Sequence, residues 1–236
     1  MHTIKSLTQN IPNIESKLGY AFKDPSLLLL AFVHRSYINE NKEVRGHNER
    51  LEFLGDSVLG LIASKYLYCT LPLDTPEGEL SYIRSRLVEA ASCALYVQKL
   101  SIASFLLLGK GERMNDGKGR ESIHADLFEA LIGAIYLDGG LGHAEHFWLT
   151  TFADEIQSII QTPLRNWKSL LQDYCQKNFQ QLPTYAVLEE TGPHHNKQFK
   201  ISVILKDQQI GFGVGSSKKE AQQAAASDAC HQLHCI

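Results

Sequence analysis

A change of hydrophobic rhythm near Thr162-Pro163 constrains this chain more than any other feature. From Ile14 to Phe147 the apolar residues recur at helical spacing, and glycine and proline fall between segments rather than inside alternating runs. The spacing predicts helices over Ser26 to Val33, Arg50 to Tyr68, Glu77 to Lys99 and His124 to Leu137, the last stopped by Gly139 and Gly140. Beyond QTPLRN the pattern alters. An amphipathic helix from Asn166 to Phe179 carries the stripe Trp167, Leu170, Leu171 and Tyr174. Strand-like pieces follow at Tyr185 to Glu190, Gln198 to Lys206 and Gln209 to Val214; in the second, Phe199, Ile201, Val203 and Leu205 alternate onto one face. An alanine-rich helix from about Lys218 to Leu233 closes the chain, with Ser216 or Ser217 as its N-cap. The expected fold class is multidomain, α and α+β: an all-α domain over 1–160, then an α-β-β-β-α domain over 161–236.

Composition narrows the function classes. The chain has 236 residues, 44% hydrophobic and 21% charged, which excludes wholesale disorder. Its five cysteines, at 69, 93, 175, 230 and 235, form no C-x-x-C pair, so neither a zinc ribbon nor a disulfide framework is expected. MHTIKSLTQN lacks an apolar signal core, and the longest apolar run, Leu27 to Val33, is too short for a bilayer. The expectation is a soluble, cytoplasmic protein without membrane partners. The formal net charge is −3, but residues 161–236 hold 8 Lys/Arg against 6 Asp/Glu, so the C-terminal part alone is positive. No P-loop or Rossmann glycine pattern occurs, so no nucleotide cofactor is expected.

Within HNERLEFLGDSVLG, Glu49, Glu52 and Asp56 stand at i, i+3 and i+7, which places them within about 60° on one helix face. Leu51, Leu54, Val58, Leu61 and Ile62 define the neighbouring face expected to be buried. Like charges at this spacing repel by a few tenths of a kcal/mol per pair (~0.3). A second pair, Asp126 and Glu129, repeats the i, i+3 step on an otherwise apolar helix. Spacing alone leaves two readings open. The acids form solvated faces paired to arginines such as Arg50, Arg84 or Arg86, or the two helices pack and four or five carboxylates converge. In the second case the oxygen ligands suit Mg²⁺ or Mn²⁺ rather than zinc, and phosphodiester hydrolysis is the matching chemistry.

HNERLEFLGDS resembles the signature motif of the ribonuclease III family almost letter for letter. LGYAFKDPSLLLLAFVHRSY, PEGELSYIRSRLV and ESIHADLFEALIGAIYLDGG resemble the family's flanking segments, so the likeness covers nearly the whole chain. The resemblance implies a helical nuclease domain whose catalytic, metal-binding carboxylates are Glu52, Asp56, Asp126 and Glu129. It further implies that Glu49 helps hold the site or RNA and that Glu77 binds or positions RNA or metal. With it come Mg²⁺, replaceable by Mn²⁺, a homodimer, and staggered cutting of double-stranded RNA, with rRNA precursors and structured mRNA as substrates.

The C-terminal segment resembles a double-stranded-RNA-binding domain. In that frame Gln172 offers a donor and an acceptor to a minor groove, and of His194, His195 and Asn196 in GPHHNKQF the register with the family's pattern makes His195 the histidine that reaches a minor groove. Taken singly, each also reads as an ordinary polar surface residue. Lys218 and Lys219 open the last helix, where the helix dipole disfavours cations and favours phosphate. One turn on, where many relatives place a third basic residue, stands Gln222. Trp167, Tyr185 and Phe199 read as core rather than base-stacking platforms. Lys110, Arg113, Lys118 and Arg120 make a basic, glycine-rich loop whose residues are not assigned singly.

Overall fold

The computed structural model describes residues 3–114, 119–161, 167–191 and 197–235, which divide into two compact units at Thr162/Pro163. Among the described residues the regular elements of the first unit are helices: α1 (Ile4–Gln9), α2 (Ile11–Leu18), α3 (Pro25–Ala31), α4 (Arg35–Glu40), α5 (Glu49–Thr70), α6 (Glu77–Val88), α7 (Ala90–Leu100), α8 (Lys110–Met114), α9 (Arg120–Gly139), α10 (Leu141–Thr151) and α11 (Ala153–Gln161), with a short 3₁₀ turn at Ala103–Phe105. Among the described residues no helix is long and apolar enough to cross a membrane.

The unit is organised around the crossing of α5 and α9, which two glycines bring into backbone contact. A Cβ added to Gly55 would lie 1.7 Å from the Glu129 carbonyl oxygen, and one added to Gly133 would lie 2.3 Å from that of Leu51. No side chain fits between the helices there, so α9 is buried along most of its length, from Ile123 to Ile135. Tyr96, Trp148 and Phe152 form an aromatic cluster with Phe128 of α9, the Tyr96 ring lying 4.9 Å from Phe128 and 4.5 Å from Phe152. Gly140 stops α9 at φ 84°, as the diglycine predicts. Asp138, just before it, accepts hydrogen bonds from the Tyr20 hydroxyl (2.7 Å) and from the backbone N–H groups of Lys23 and Asp24, tying the α2–α3 connection to the end of α9.

The helix expected over Glu77 to Lys99 is two helices. Glu89 takes extended backbone (φ −67°, ψ 157°) and turns the chain between α6 and α7. The break frees the last carbonyls of α6, and side chains of α7 satisfy them. Ser92 Oγ donates to Arg86 (2.6 Å), Tyr96 Oη to Leu87 (3.1 Å), and Cys93 Sγ to Val88 (3.6 Å). Leu61 also departs from expectation. It is 54% exposed, because α5 is covered mainly on the side facing α9 and Leu61 lies off that side.

The second unit runs α12 (Trp167–Phe179), β1 (Thr184–Thr191), β2 (Gln198–Leu205), β3 (Gln208–Gly215) and α13 (Lys218–Gln232). The sheet is antiparallel in the order β1-β2-β3, with Tyr185 opposite Val203 and Ser202 opposite Phe212. Lys206 and Asp207 both have positive φ (51° and 63°), the signature of a tight two-residue hairpin turn. Phe199, Ile201, Val203 and Leu205 all point into the core, as their alternation predicts. On β3, Gly213 lets α13 approach until an added Cβ would lie 2.2 Å from the Ala225 nitrogen, so alanines line that face of the helix. Ser217 caps α13 by accepting from the Glu220 N–H. Leu171 and Cys175 are the buried residues of α12, while Leu170 is 38% exposed at the margin of the expected stripe.

Candidate functional site

The α5–α9 crossing fixes the acidic residues. Gly55 and Gly133 set the backbones in contact, and Glu52 and Asp56 on α5 flank the point that Glu129 occupies on α9. Glu52, Asp126 and Glu129 each present a carboxylate oxygen, and the three oxygens lie within 4.8 Å of one another. All three residues are half-buried. Asp56 is exposed and stands at the rim, outside this three-oxygen group. Its charge is nonetheless felt by both Glu129 and Glu52.

The electrostatics are those of an uncompensated acidic pocket. Burial first, then the charges of Asp56, Asp126 and Glu52, push the Glu129 carboxyl up to about 7. Glu52 is raised by burial and by Asp126, Glu49 and Asp56. Asp126 is raised by burial and by Glu49, against a lowering by His34. Among the described residues no lysine or arginine pairs with these acids. Arg84 reaches the Ser64 hydroxyl and Arg86 the Ile159 carbonyl, so the arginine-paired reading of the acidic faces does not describe the core carboxylates. Glu49 is the exception, since it meets Arg35 at 3.4 Å and His47 at 3.7 Å. An all-oxygen donor set with mutual repulsion and no cation partner fits a hard divalent ion.

Two neighbours of the pocket were not singled out from the sequence. His34 is half-buried, and its Nδ1 accepts the Ser36 N–H at 3.2 Å, which leaves Nε2 to carry the proton of the neutral ring. Burial lowers its pKa, while Glu112, Asp126 and Glu49 raise it. Cys93 is fully buried on α7, and burial followed by Glu129 and Asp56 pushes its thiol upward. Neither residue has a local pattern that marks it, because each meets the pocket only through the packing of α4 and α7. Glu77 lies in the first turn of α6, exposed and accepting from the Ser81 hydroxyl at 2.7 Å, outside the carboxylate cluster.

In the second unit Gln172 is exposed on α12, and Lys218 and Lys219 are exposed in the first turn of α13. The Lys218 ammonium lies 5.6 Å from the centre of the Phe199 ring. His195, with His194 and Asn196, lies outside the described residues, as does Lys118. Phe199 is buried and Trp167 and Tyr185 pack against the core, as expected.

The Ribonuclease-III-like family matches residues 24–156, and the Double-stranded RNA binding motif matches residues 167–233. The chain is 67% identical over 233 residues to Ribonuclease 3 of Protochlamydia amoebophila, covering 99% of this chain and 96% of that protein. It is 44% identical over 221 residues to Ribonuclease 3 of Caldanaerobacter subterraneus, covering 93% and 96% respectively. A solved nuclease domain of ribonuclease III from Campylobacter jejuni, described for flexibility in a region involved in dimer formation, superposes with a TM-score of 0.55 at 39% identity. It spans 60% of this chain and 95% of that one. With the helical unit, its carboxylate pocket and the following α-β-β-β-α unit in agreement, the chain belongs to the ribonuclease III family and is a ribonuclease carrying a double-stranded-RNA-binding motif.

Proposed function

We propose that this protein is a divalent-metal-dependent endonuclease that cuts both strands of duplex RNA in the cytoplasm, leaving 5′-phosphate and 3′-hydroxyl ends with short 3′ overhangs. The observation that carries the reading is the convergence of oxygens from Glu52, Asp126 and Glu129 within 4.8 Å, in a half-buried pocket without a cationic partner. Residues 1–160 are the nuclease domain and 161–236 the RNA-binding domain. Glu52, Asp126 and Glu129 would hold Mg²⁺, or Mn²⁺ in its place, and Asp56 completes the set from the rim. When bound, such an ion supplies Lewis acidity and a water that ionises near neutral pH.

The chain's own residues do the remaining work. Glu49, held by Arg35 and His47, keeps a further negative charge beside Glu52 without entering the pocket. Asp56, facing solvent, stands where an incoming phosphodiester enters. Glu77 positions RNA or metal from α6. Hydrolysis adds water across the P–O3′ bond: the hydroxyl goes to phosphorus, and the proton goes to the departing 3′ oxygen. Gln172, His195, Lys218 and Lys219 grip the duplex by its A-form shape, so stems of rRNA precursors and structured mRNA are the expected substrates.

A homodimer matches the surface of α5. Phe53, Leu61 and Tyr68 are 78%, 54% and 72% exposed and fall within about 80° of one another around the helix. We assign this face to contact with a second copy, so that two carboxylate pockets address the two strands. Phe53→Asp is expected to yield monomers in light scattering at concentrations where the wild type is dimeric. A dimeric variant would move the interface elsewhere.

The deciding experiment is incubation of the purified protein with end-labelled long duplex RNA in Mg²⁺ or in EDTA, followed by mapping of the product ends. Cutting in Mg²⁺ alone, with 5′-phosphates and staggered 3′ ends, is the expected result. A duplex that is bound but uncut across metals and pH would favour a protein that grips RNA without hydrolysing it.

A further inference from the structure

The RNA-binding unit contains a cation that the described RNA face does not use. Lys168, in the first turn of α12, is half-buried. Its ammonium donates to Gln222 Oε1 at 2.8 Å and sits 4.8 Å from the centre of the Tyr185 ring. Its backbone N–H points to Gln223 Oε1 at 3.4 Å. An ammonium has three N–H groups, and Gln222 takes one. Among the described residues no carboxylate lies within 4.0 Å of Lys168, Lys218 or Lys219. Gln222 is four residues after Lys218, so the two share one stripe of α13, and the Lys168 ammonium meets that stripe at Gln222. On its own helix Lys168 lies one turn before the exposed Gln172, about 40° away around the axis.

We propose that Lys168 is a third phosphate-contacting cation of this unit, delivered from α12 and steadied over the duplex by Gln222. Two physical arguments favour this over a simple tie between α12 and α13. First, a half-buried ammonium costs desolvation, which the Tyr185 face offsets only in part and no carboxylate repays. A neutral amide pair would join the helices without that cost. Second, Lys218 and Lys219 occupy the first turn of α13, the end where the dipole opposes a cation and favours an anion, and the Lys168 ammonium sits one turn on at Gln222. An RNA phosphate lying over the first two turns of α13 would meet Lys218 and Lys219 and, beside Gln222, the Lys168 ammonium. Lys168 then joins the Lys218/Lys219 contact to Gln172 as one continuous strip on the duplex. The inference rests on reading this unit as the duplex-binding part of the protein.

The test is equilibrium binding of the full chain to a fluorescent blunt RNA duplex in EDTA, which prevents cutting, across a potassium chloride series. Each phosphate contact adds about one to the slope of log affinity against log salt. Lys168→Gln is expected to lower that slope by about one and to weaken binding several-fold, whereas Lys168→Arg keeps both. Lys168→Gln with Gln222→Lys returns an ammonium to the same place from α13 and restores the slope. Gln222→Glu serves as a variant that preserves packing: it neutralises Lys168 where it stands, and its slope falls as in Lys168→Gln. A wild-type slope in Lys168→Gln or Gln222→Glu, with Lys218→Ala/Lys219→Ala flattened, overturns the proposal and leaves Lys168 a structural tie. A wild-type slope in the Lys218→Ala/Lys219→Ala protein as well would sink the assignment of this whole face to RNA.

Discussion

Glu129→Gln is expected to leave duplex RNA bound and to slow its cleavage by at least on the order of 10³-fold, about 4 kcal/mol of activation free energy. The substitution keeps the shape of the side chain and removes one of the three converging anionic oxygens. Single-turnover cleavage in Mg²⁺ and duplex binding in EDTA separate the two effects. Cleavage within tenfold of wild type would remove Glu129 from the proposed ligand set.

The same variant carries a pH signature. Burial and the charges of Asp56, Asp126 and Glu52 hold the Glu129 carboxyl up to about 7, against an ordinary value of 4.5. Without metal, the folded chain therefore keeps a proton there that the unfolded chain has already released. The associated stability is fully present below the ordinary value and is lost as pH rises towards about 7. Glu52 and Asp126 are shifted in the same direction. Thermal melts in EDTA between about pH 5 and about pH 8 should therefore show wild type losing stability more steeply than Glu129→Gln. Equal slopes would mean that Glu129 is not proton-loaded in the metal-free fold. Because ligand carboxylates must be ionised, binding of a divalent ion below about pH 7 should also release protons.

The second large effect concerns a residue with no side chain. Gly55→Ala places a methyl group 1.7 Å from the Glu129 carbonyl oxygen, a backbone atom that cannot turn aside. Ordinary core overpacking costs about 1–3 kcal/mol; here two helices must separate, so a loss at or above the top of that range is expected. Denaturant unfolding measures it. Gly60→Ala on the same helix, where an added Cβ meets nothing within 4 Å, is the control and should be neutral to slightly stabilising. Folded Gly55→Ala protein should also cleave poorly, because the separation that admits the methyl group moves Glu129 away from Glu52. A Gly55→Ala protein of wild-type stability would refute the tight crossing.

How much of this could be read from the chain depends on the range of the interaction. Glu52 and Asp56, and Asp126 with Glu129, were legible as helix-face patterns because their spacing is a local property of one helix. That Glu52, Asp126 and Glu129 meet while Asp56 stays at the rim depends on how α5 and α9 cross, and the glycines that set the crossing carry no pattern of their own. The α-β-β-β-α order was legible from the alternation in β2 and from the alanines of α13, which record burial directly. The α6/α7 break was not, because the apolar period runs through Glu89 without interruption, and the groups that stabilise the corner lie on the following helix. Leu61 departs from its expected burial for a related reason: periodicity counts apolar residues but does not show which side of a long helix is left uncovered. Lys168 has no local pattern that marks it, because Gln222 and Tyr185, which hold it, lie on other elements.

The corner at Glu89 has a consequence for Glu77. Three side chains of α7 lock the end of α6, and one of them, Tyr96, belongs to the aromatic cluster packed against α9. The twelve residues of α6 span about 18 Å, with Ile83 and Leu87 buried towards the clamp and Glu77 exposed at the far end. From Ile83 to Glu77 the arm is about 9 Å, so a tilt of about 5° displaces the tip by a little under an ångström. Repacking around Tyr96 would therefore be felt at Glu77, through leverage rather than contact.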